Sequence, residues 1–334
     1  MKLSTRTVNW GVLGTAGIAT KFVIPAIEKS INGKVVAIAS RDKDRAHRVA
    51  KSYGLRKCYG DYGELLDSPD IDAVYVPLPN SLHCEWTIRA AEAGLHVLCE
   101  KPLAPTAEEC ERMISACRKN DVILMEGFMY RYHPQIVMLQ RLVDSELVGR
   151  ILVIRSEFTV RLEEYSRNFL DDIRYQKNLG GGSLLDLGCY CVDITRLLTK
   201  SEPDHVAGQA SIHKEKQIDE TFAGIMHFPG NELALFESSF LARVRHNLEI
   251  IGTKGHIELP AAFEPGYKAE IGIKTIAKTE RIQFHSVNPY QLMVEEFASS
   301  VLNGREPSIP ATTSIGNMKA IEMLLKSASN STVN

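Results

Sequence analysis

Val8-Asn9-Trp10-Gly11-Val12-Leu13-Gly14-Thr15-Ala16-Gly17-Ile18-Ala19 is the stretch whose reading decides the fold. Val8–Leu13 is apolar and β-rich, and a Gly/Ala turn follows it directly. Helical periodicity then runs from about Gly17 to Ser30. Strand, glycine turn and helix in that order give a G-x-G-x-x-G/A pattern its meaning as a dinucleotide fingerprint. The register that fits is Gly14-x-Ala16-x-x-Ala19, with alanine in the second glycine position. Gly14 permits the tight turn. Ala16 lets the backbone approach a pyrophosphate nearly as closely as glycine would. Ala19 lets the helix pack on the strand, and the helix N-terminus faces the phosphates. Thr15, Gly17 and Ile18 complete the turn and count among the expected cofactor contacts.

Outward from that turn, short β-rich runs alternate with helical ones. Strands are expected at Val35–Ala39, Ala73–Val76, His96–Cys99 and Val122–Met125, and helices at Asp44–Tyr53, Ser81–Ala93 and Ala107–Lys119. Such alternation implies parallel βαβ units with right-handed crossovers. After about Met125 the pattern changes. Helices are expected at Pro134–Asp144 and Gly182–Leu198. Strands follow one another at Ile151–Val160, Val206–Ile212, Thr221–Phe228, Glu232–Phe240, Arg245–Gly252 and His256–Leu259. Consecutive strands without helices between them point to a largely antiparallel sheet. Two helices, Pro289–Asn303 and Thr312–Ser327, precede a tail expected to fray from Ser329. The expected architecture is therefore α/β: a doubly wound parallel domain over 1–125, and over 126–334 an α/β domain with a large open, mostly antiparallel sheet.

Composition narrows the function classes. The 334 residues carry 39 basic and 41 acidic side chains, a net charge of −2, which leaves no electrostatic footprint for nucleic acid. No apolar run reaches the roughly 18 residues needed to span a bilayer. Met1–Arg6 leads into a strand rather than a signal-peptide core, so a cytoplasmic protein is expected. The seven cysteines are odd in number and match no zinc or redox spacing, so they read as reduced thiols. The ten histidines include no His-Glu-x-x-His arrangement, and no metal is expected.

Strand two speaks to cofactor preference. An NAD site usually carries an acidic residue about 20 residues past the fingerprint, bonded to the ribose 2′-hydroxyl. Here the second strand ends Ala39-Ser40-Arg41-Asp42, with Ser40 in the acidic position and Arg41 after it. Serine bonds a 2′-phosphate without repelling it, and arginine holds one bidentately or stacks on the adenine. Arg45 is placed to assist. NADP is therefore expected over NAD, although Asp42 pulls the other way. The alternative reading makes Arg41 a solvated helix-start residue.

Strand four runs into Cys99-Glu100-Lys101-Pro102. Ligands of doubly wound sheets bind at the carboxyl ends of the strands, so Lys101 emerges where a nicotinamide would lie. The following proline is able to hold a cis bond. Further along, Gly180-Gly181-Gly182 breaks the chain before a helix, and Asp186 and Tyr190 are then i and i+4 on one face. A phenol titrates near about 10, and a neighbouring ammonium favours its phenolate. Such a pair exchanges a proton with a hydroxyl or carbonyl near neutral pH.

With these motifs the chain resembles the glucose–fructose oxidoreductase/inositol dehydrogenase (Gfo/Idh/MocA) family. The resemblance covers nearly the whole chain. It rests on the Gly/Ala turn, Glu100-Lys101-Pro102, Val76-Pro77-Leu78-Pro79-Asn80-Ser81-Leu82-His83, and Met125 through Pro134. It also rests on Gly180 through Tyr190, and on Gly252-Thr253-Lys254-Gly255. It implies a Rossmann domain followed by an α/β domain whose open sheet commonly forms a dimer interface, with substrate between the domains. A homodimer or dimer of dimers is expected. It also implies Lys101 as the catalytic lysine, and Asp186 and Tyr190 as the Asp-x-Gly-x-Tyr element. Tyrosine at the last position, where inositol dehydrogenases carry histidine, groups the chain with xylose dehydrogenases, 3-ketosugar reductases and dimeric dihydrodiol dehydrogenases.

The implied activity is NADP-dependent hydride transfer at a carbinol or carbonyl carbon of a sugar or polyol. An aldose 1-dehydrogenase comes first. A reductase of activated ketosugars comes second and a dihydrodiol dehydrogenase third. The rival from another class is a non-catalytic dinucleotide sensor, since this fold serves a fungal galactose-pathway repressor; keeping both Lys101 and Tyr190 argues against it. Leu78, Asn80, His83 and Glu100 are expected near the cofactor, though His83 equally suits a core hydrogen bond. Tyr130, Arg131 and Arg174 are candidates for substrate hydroxyls, with structural ion pairs as the alternative for the arginines. Phe128 and Phe158 read as core.

Overall fold

Val8–Leu13 (β1) lies inside a six-stranded sheet, with every side chain but that of Asn9 buried. The structure is a computed structural model that describes residues 6–165, 167–264 and 269–330. β1 pairs in parallel with Gly33–Ala39 (β2) on one side and Ala73–Val76 (β4) on the other. Lys57–Tyr59 (β3), His96–Cys99 (β5) and Leu124–Glu126 (β6) extend the sheet to the order β3-β2-β1-β4-β5-β6, all parallel. Strands buried on both faces need continuous apolar runs, and Ala73-Val74-Tyr75-Val76 is one.

Helices Ile24–Lys29 (α1), Lys43–Tyr53 (α2), Tyr62–Leu66 (α3), His83–Glu92 (α4) and Ala107–Lys119 (α5) make the crossovers. Their ends follow local chemistry. Asp42 caps α2 by accepting from the Arg45 N–H at 3.0 Å, and Gly54 closes it in the left-handed conformation. Thr106 caps α5, with Glu108 and Glu109 in its first turn and Arg118 and Lys119 in its last. β3 and α3 lie outside the expected elements. They have three and five residues and alternate too briefly to stand out as periodic.

The second sheet has eight strands: Ile151–Thr159 (β7), His205–Ile212 (β8), Asp219–His227 (β9), Leu233–Ser239 (β10), Leu248–Gly252 (β11), Gly255–Leu259 (β12), Glu270–Thr275 (β13) and Thr279–Gln283 (β14). Their order is β14-β13-β12-β11-β7-β10-β9-β8, antiparallel except between β7 and β10. One face is packed and the other open. Phe222, Met226, Ala234 and Phe236 are buried, while Ala223, Ile225, Leu233 and Leu235 face outward. Helix Pro134–Asp144 (α6) belongs to this part of the chain. So does Cys189–Thr199 (α7), which is entered through a π-helical turn at Leu184–Gly188. β13 and β14 were not expected: Gly272, Lys274, Glu280 and Arg281 interrupt the apolar pattern near the sheet edge.

The partition of the chain differs from the expected boundary. One compact unit comprises the chain up to Met129 together with Asn288–Ile315. The other comprises Tyr130–Val287 and the chain from Gly316. Helix Pro289–Asn303 (α8) thus returns to the parallel sheet instead of joining the second unit. Phe297 stacks against Trp10 of β1 with ring centroids 4.9 Å apart, and Tyr290 stacks on Phe22 at 5.4 Å. The Asn32 side-chain amide donates to the Glu295 carbonyl at 2.9 Å. Helix Thr313–Asn330 (α9) carries the chain into the second unit, so Ser329 and Asn330 are helical; the rest of the expected tail, 331–334, lies outside the described residues. Among the described residues no cysteine is in a disulfide, and no helix is long and apolar enough to cross a membrane.

Phe297 is fully buried. Phe297→Ala is expected to destabilise the first unit by about 3–5 kcal/mol, as deletion of a buried ring does. Urea unfolding followed by Trp10 fluorescence measures this. A loss below about 1 kcal/mol would mean that α8 is not part of that core.

Candidate active site

In a parallel sheet every strand ends at the same edge, so the turns after β1, β2, β4 and β5 gather there. Gly14 begins the first turn at φ +113°, and its N–H donates to the Ala39 carbonyl at 2.8 Å. A Cβ at Gly14 would stand 3.2 Å from Leu78 Cδ2, so glycine is needed for both conformation and space. Thr15 is buried, Ala16 and Ile18 are half-buried, and Gly17 is exposed with open space where a side chain would be. Ala19–Val23 is a π-helical turn, a rare form that recurs at functional sites. From the end of β2, Ser40 Oγ accepts from the Asp42 N–H at 3.2 Å. Arg41 is exposed, and the Arg45 guanidinium reaches the Thr15 carbonyl at 3.3 Å. No acidic side chain occupies the Ser40 position. The group fits a 2′-phosphorylated dinucleotide: a helix entrance without a side chain at Gly17, a hydroxyl in place of a carboxylate, and two guanidinium groups.

Between the turns after β4 and β5 lies His83. It is fully buried, and its two ring nitrogens lie 2.8 Å from the Leu78 carbonyl and 3.0 Å from the Pro102 carbonyl. Burial lowers its pKa, so the ring is neutral at pH 7. Both nitrogens face backbone carbonyls, and the neutral ring has one N–H to donate to one of them, so His83 sits between the Leu78 turn and the Lys101-Pro102 turn in the core place that was its alternative reading. The Lys101–Pro102 bond is cis. Glu100 is buried, accepts from the Tyr75 hydroxyl at 2.5 Å, and has its other oxygen 3.3 Å from the Lys101 N–H. Burial, reinforced by Glu100, pushes the Tyr75 phenol well up, so it stays protonated and donates. Asn80 and Lys101 are half-buried.

In the second unit the glycine run makes a close turn. The Gly182 N–H donates to the Arg174 carbonyl at 3.0 Å, and Gly182 sits at φ +122° with no room for a Cβ beside Asp219. The helix after it begins with a π turn, so Asp186 and Tyr190 are separated by a wider coil than the expected α spacing. Tyr190 is buried within aromatic rings, with centroids 5.1 Å to Phe158, 5.5 Å to Tyr130 and 5.5 Å to Phe263. Asp186 is half-buried, and its Oδ2 is 3.9 Å from the Arg174 guanidinium.

Residues 8–128 match the oxidoreductase family with an NAD-binding Rossmann fold, and residues 136–258 match the GFO/IDH/MocA C-terminal domain. D-xylose 1-dehydrogenase (NADP(+)) 2 of Haloferax volcanii is 38% identical over 321 residues, 96% of this chain and 97% of its own. The chain belongs to the Gfo/Idh/MocA oxidoreductase family. This family member is also 33% identical to the dTDP-3,4-didehydro-2,6-dideoxy-alpha-D-glucose 3-reductase of Actinomadura kijaniata, over 90% of this chain and 89% of that one. A solved 3-ketoreductase from Actinomadura kijaniata in complex with NADP and TDP-benzene superposes with TM-score 0.90 at 29% identity, covering 96% of this chain and 98% of that one. That enzyme has also been solved with a tyrosine changed to phenylalanine and with a lysine changed to alanine.

Three substrate candidates of this Gfo/Idh/MocA protein have polar partners within the chain, as the ion-pair alternative for the two arginines anticipates. Tyr130 and Arg131 are buried and spend their polar atoms on Asp193. The Tyr130 hydroxyl and Arg131 Nη2 donate to it, and Arg131 Nε does so at 2.6 Å. Through Tyr130 this network packs against Tyr190. Arg174 grips Asp172 with Nε at 2.9 Å and Nη2 at 3.2 Å, which is the ion-pair alternative. Phe128 and Phe158 are buried, as core residues are. Sequence reasoning missed Asp193 and Asp219. Asp219 is buried and accepts from the Leu184 N–H at 2.7 Å and the Ser183 hydroxyl at 2.8 Å, holding the entry of the π turn. A lone Asp opening a strand carries no local signal of that partner.

Burial raises the Asp219 carboxyl from 3.8 to about 6. The folded state therefore holds this proton more tightly than the unfolded chain. The contribution is present below about 4 and lost as pH rises through about 6. Asp219→Asn is expected to gain about 2–3 kcal/mol relative to the parent protein between pH 4 and pH 7. Urea unfolding at the two pH values measures it, and a pH-independent difference would refute it.

Proposed function

We propose that this protein is an NADP-dependent oxidoreductase acting on a carbinol or carbonyl carbon of a sugar or polyol, most closely an aldose 1-dehydrogenase acting on a xylose- or glucose-like sugar. The observation that carries the cofactor reading is the end of β2. Ser40 stands where an NAD site has a carboxylate, Arg41 is exposed beside it, and Arg45 is anchored to the fingerprint turn at Thr15. The aldose reading is supported by the similarity to the D-xylose 1-dehydrogenase. Ketosugar reduction is the second reading, favoured by the fold match to the 3-ketoreductase.

Gly14, Thr15, Ala16, Gly17, Ile18 and Ala19 form the proposed pyrophosphate turn. Ser40, Arg41 and Arg45 form the 2′-phosphate end. Leu78, Asn80, Glu100 and Lys101 lie along the nicotinamide end, with His83 between their turns. The nicotinamide supplies or accepts the hydride. Tyr190 is the proposed group that takes the hydroxyl proton on oxidation and returns it on reduction. Lys101 is the proposed group that polarises the substrate oxygen. Asp186 is the proposed orienter of a substrate hydroxyl. The aromatic rings around Tyr190 exclude water, which strengthens such polarisation. A homodimer through the open face of the eight-stranded sheet is part of the proposal, supported by the outward Ile225, Leu233 and Leu235. A cytoplasmic location is part of the proposal, supported by seven cysteines of which none is in a disulfide.

The test is turnover on a panel of aldoses, inositols and diols with NADP⁺ and NAD⁺ in parallel, followed by absorbance of the reduced nicotinamide. Activity is expected with NADP⁺ on one sugar class. Lys101→Met and Tyr190→Phe are each expected to lower kcat by about 10²–10⁴-fold, with NADPH affinity in Tyr190→Phe changed only a few-fold. Tight NADPH binding with no oxidation of any free sugar, but reduction of a nucleotide-linked ketosugar, selects the second reading. Binding without turnover in either direction selects the sensor.

Cofactor choice has its own check. Ser40→Asp together with Arg41→Ala is expected to reverse the preference. The loss in kcat/KM for NADP⁺ is about tenfold or more, since a hydrogen bond to a charged group contributes about 1.5–3 kcal/mol. An unchanged NADP⁺/NAD⁺ ratio would remove these residues from the site.

A further inference from the structure

The edge pairing of the second sheet brings together three side chains that the sequence keeps apart. β8 and β9 run antiparallel with His205 opposite His227. Facing positions of an antiparallel pair put their side chains side by side, and the two imidazole centroids are 6.0 Å apart. Asp204 precedes His205, and its N–H donates to the His227 carbonyl at 3.0 Å. That bond fixes the carboxylate beside both rings. Asp204 Oδ1 lies 2.6 Å from His227 Nδ1 and 3.1 Å from His205 Nδ1. One donor atom from each residue falls within 4.8 Å of the others, and among the described residues no second grouping of this kind occurs.

The surroundings favour a cation. The turn after β9 passes through Asn231 in the left-handed conformation, and the Phe228 N–H meets the Glu232 carbonyl at 3.0 Å. Glu232 follows on that turn and adds a negative charge near His227 to that of Asp204.

We propose that Asp204, His205 and His227 form a binding site for one divalent transition-metal ion of the zinc class, separate from the residues assigned to hydride transfer. Two imidazole nitrogens and one carboxylate oxygen are the donor set that zinc-like ions take, whereas calcium and magnesium require oxygen cages. Tetrahedral bonds of about 2.0–2.1 Å place donors about 3.3 Å apart. The observed 2.6 and 3.1 Å are somewhat tighter. His227 faces Leu233 across the strands, at the end of the open face proposed for the homodimer; in the single chain the side chains are exposed by 38% at Asp204, 84% at His205 and 35% at His227, so they are able to rotate outward to open that space. Solvent fills the remaining coordination position. A bound ion cross-links the edge strand β8 to β9.

The test uses tag-free full-length protein titrated with Zn²⁺ in competition with a chromogenic chelator. One tight equivalent is expected for the parent protein and for the control His285→Ala. It is expected to weaken at least tenfold in His227→Ala and in His227→Gln, and to vanish in the His205→Ala/His227→Ala double variant. Unchanged melting curves in excess chelator establish that the variants are folded, and the glutamine variant keeps the bulk of the ring if alanine disturbs the strand. Absence of a tight equivalent in the parent protein, or its persistence in the double variant, overturns the proposal. Equal loss in His285→Ala does so too.

Discussion

Parallel pairing of β1 with both β2 and β4 is the constraint on which the first unit depends. It sends the chain outward from the sheet in opposite directions at one place, between β1 and β4, and puts every strand end at the same edge. The Gly14 turn, Ser40, Leu78 and Glu100-Lys101 are neighbours for that reason alone; they span residues 14 to 101. Ligands of such sheets lie at this topological switch point. The remaining devices hold the edge still. The Gly14 N–H on Ala39 ties the first turn to β2. His83 sits between the third turn and the fourth, and Tyr75 holds Glu100. Each is a buried polar contact whose loss would leave an unmatched donor or acceptor, costing about 1–3 kcal/mol. The edge is therefore stiff at its floor, while Arg41 and Gly17 stay exposed above it.

Much of this was legible in the sequence, and the reasons are uneven. β1, β4, β5, α5, α6 and α8 were expected at the bounds the structure shows. Continuous apolar runs, Thr106 before Glu108-Glu109, Pro134 and Pro289 at helix starts, and Gly304 after a helix are all local signals. β3, α3, β13 and β14 were not legible, being short, half-exposed or interrupted by charge. The return of α8 to the first unit was also hidden. Nothing near Phe297 says that its partner is Trp10, some 290 positions earlier.

The site divided in the same way. Backbone features such as the Gly14 turn and the Glu-Lys-Pro segment lie at strand ends, as expected, because their signal is contained in a few consecutive residues. Side-chain partners have no such signal. The sequence offers an ion pair as one reading of Arg131 but not its partner, because Asp193 lies 62 residues on, and the Asp219 that holds Leu184 lies 35 residues on. His205 and His227 become neighbours only through strand register. A polar residue beside a cleft motif is as often its support as its working surface, and only the partner tells which.

The Tyr130–Arg131–Asp193 network shows why that support is polar at all. Taking an Arg–Asp pair out of water costs several kcal/mol per ion, and such pairs are often no more stabilising than apolar residues of the same volume. Net stability is therefore a weak reason for this network. Burial works against the Arg131 charge, yet Asp193 outweighs it and raises the guanidinium pKa, so the guanidinium stays charged. The bidentate grip then permits one orientation of Arg131, and the Tyr130 hydroxyl on the same carboxylate permits one orientation of that ring. Tyr130 in turn packs 5.5 Å from Tyr190 and edge-on to Phe263 at 5.4 Å. An apolar replacement would fill the space and leave the ring's rotation unspecified. What the buried charge contributes is direction: it fixes the Tyr130 ring against which Tyr190 packs.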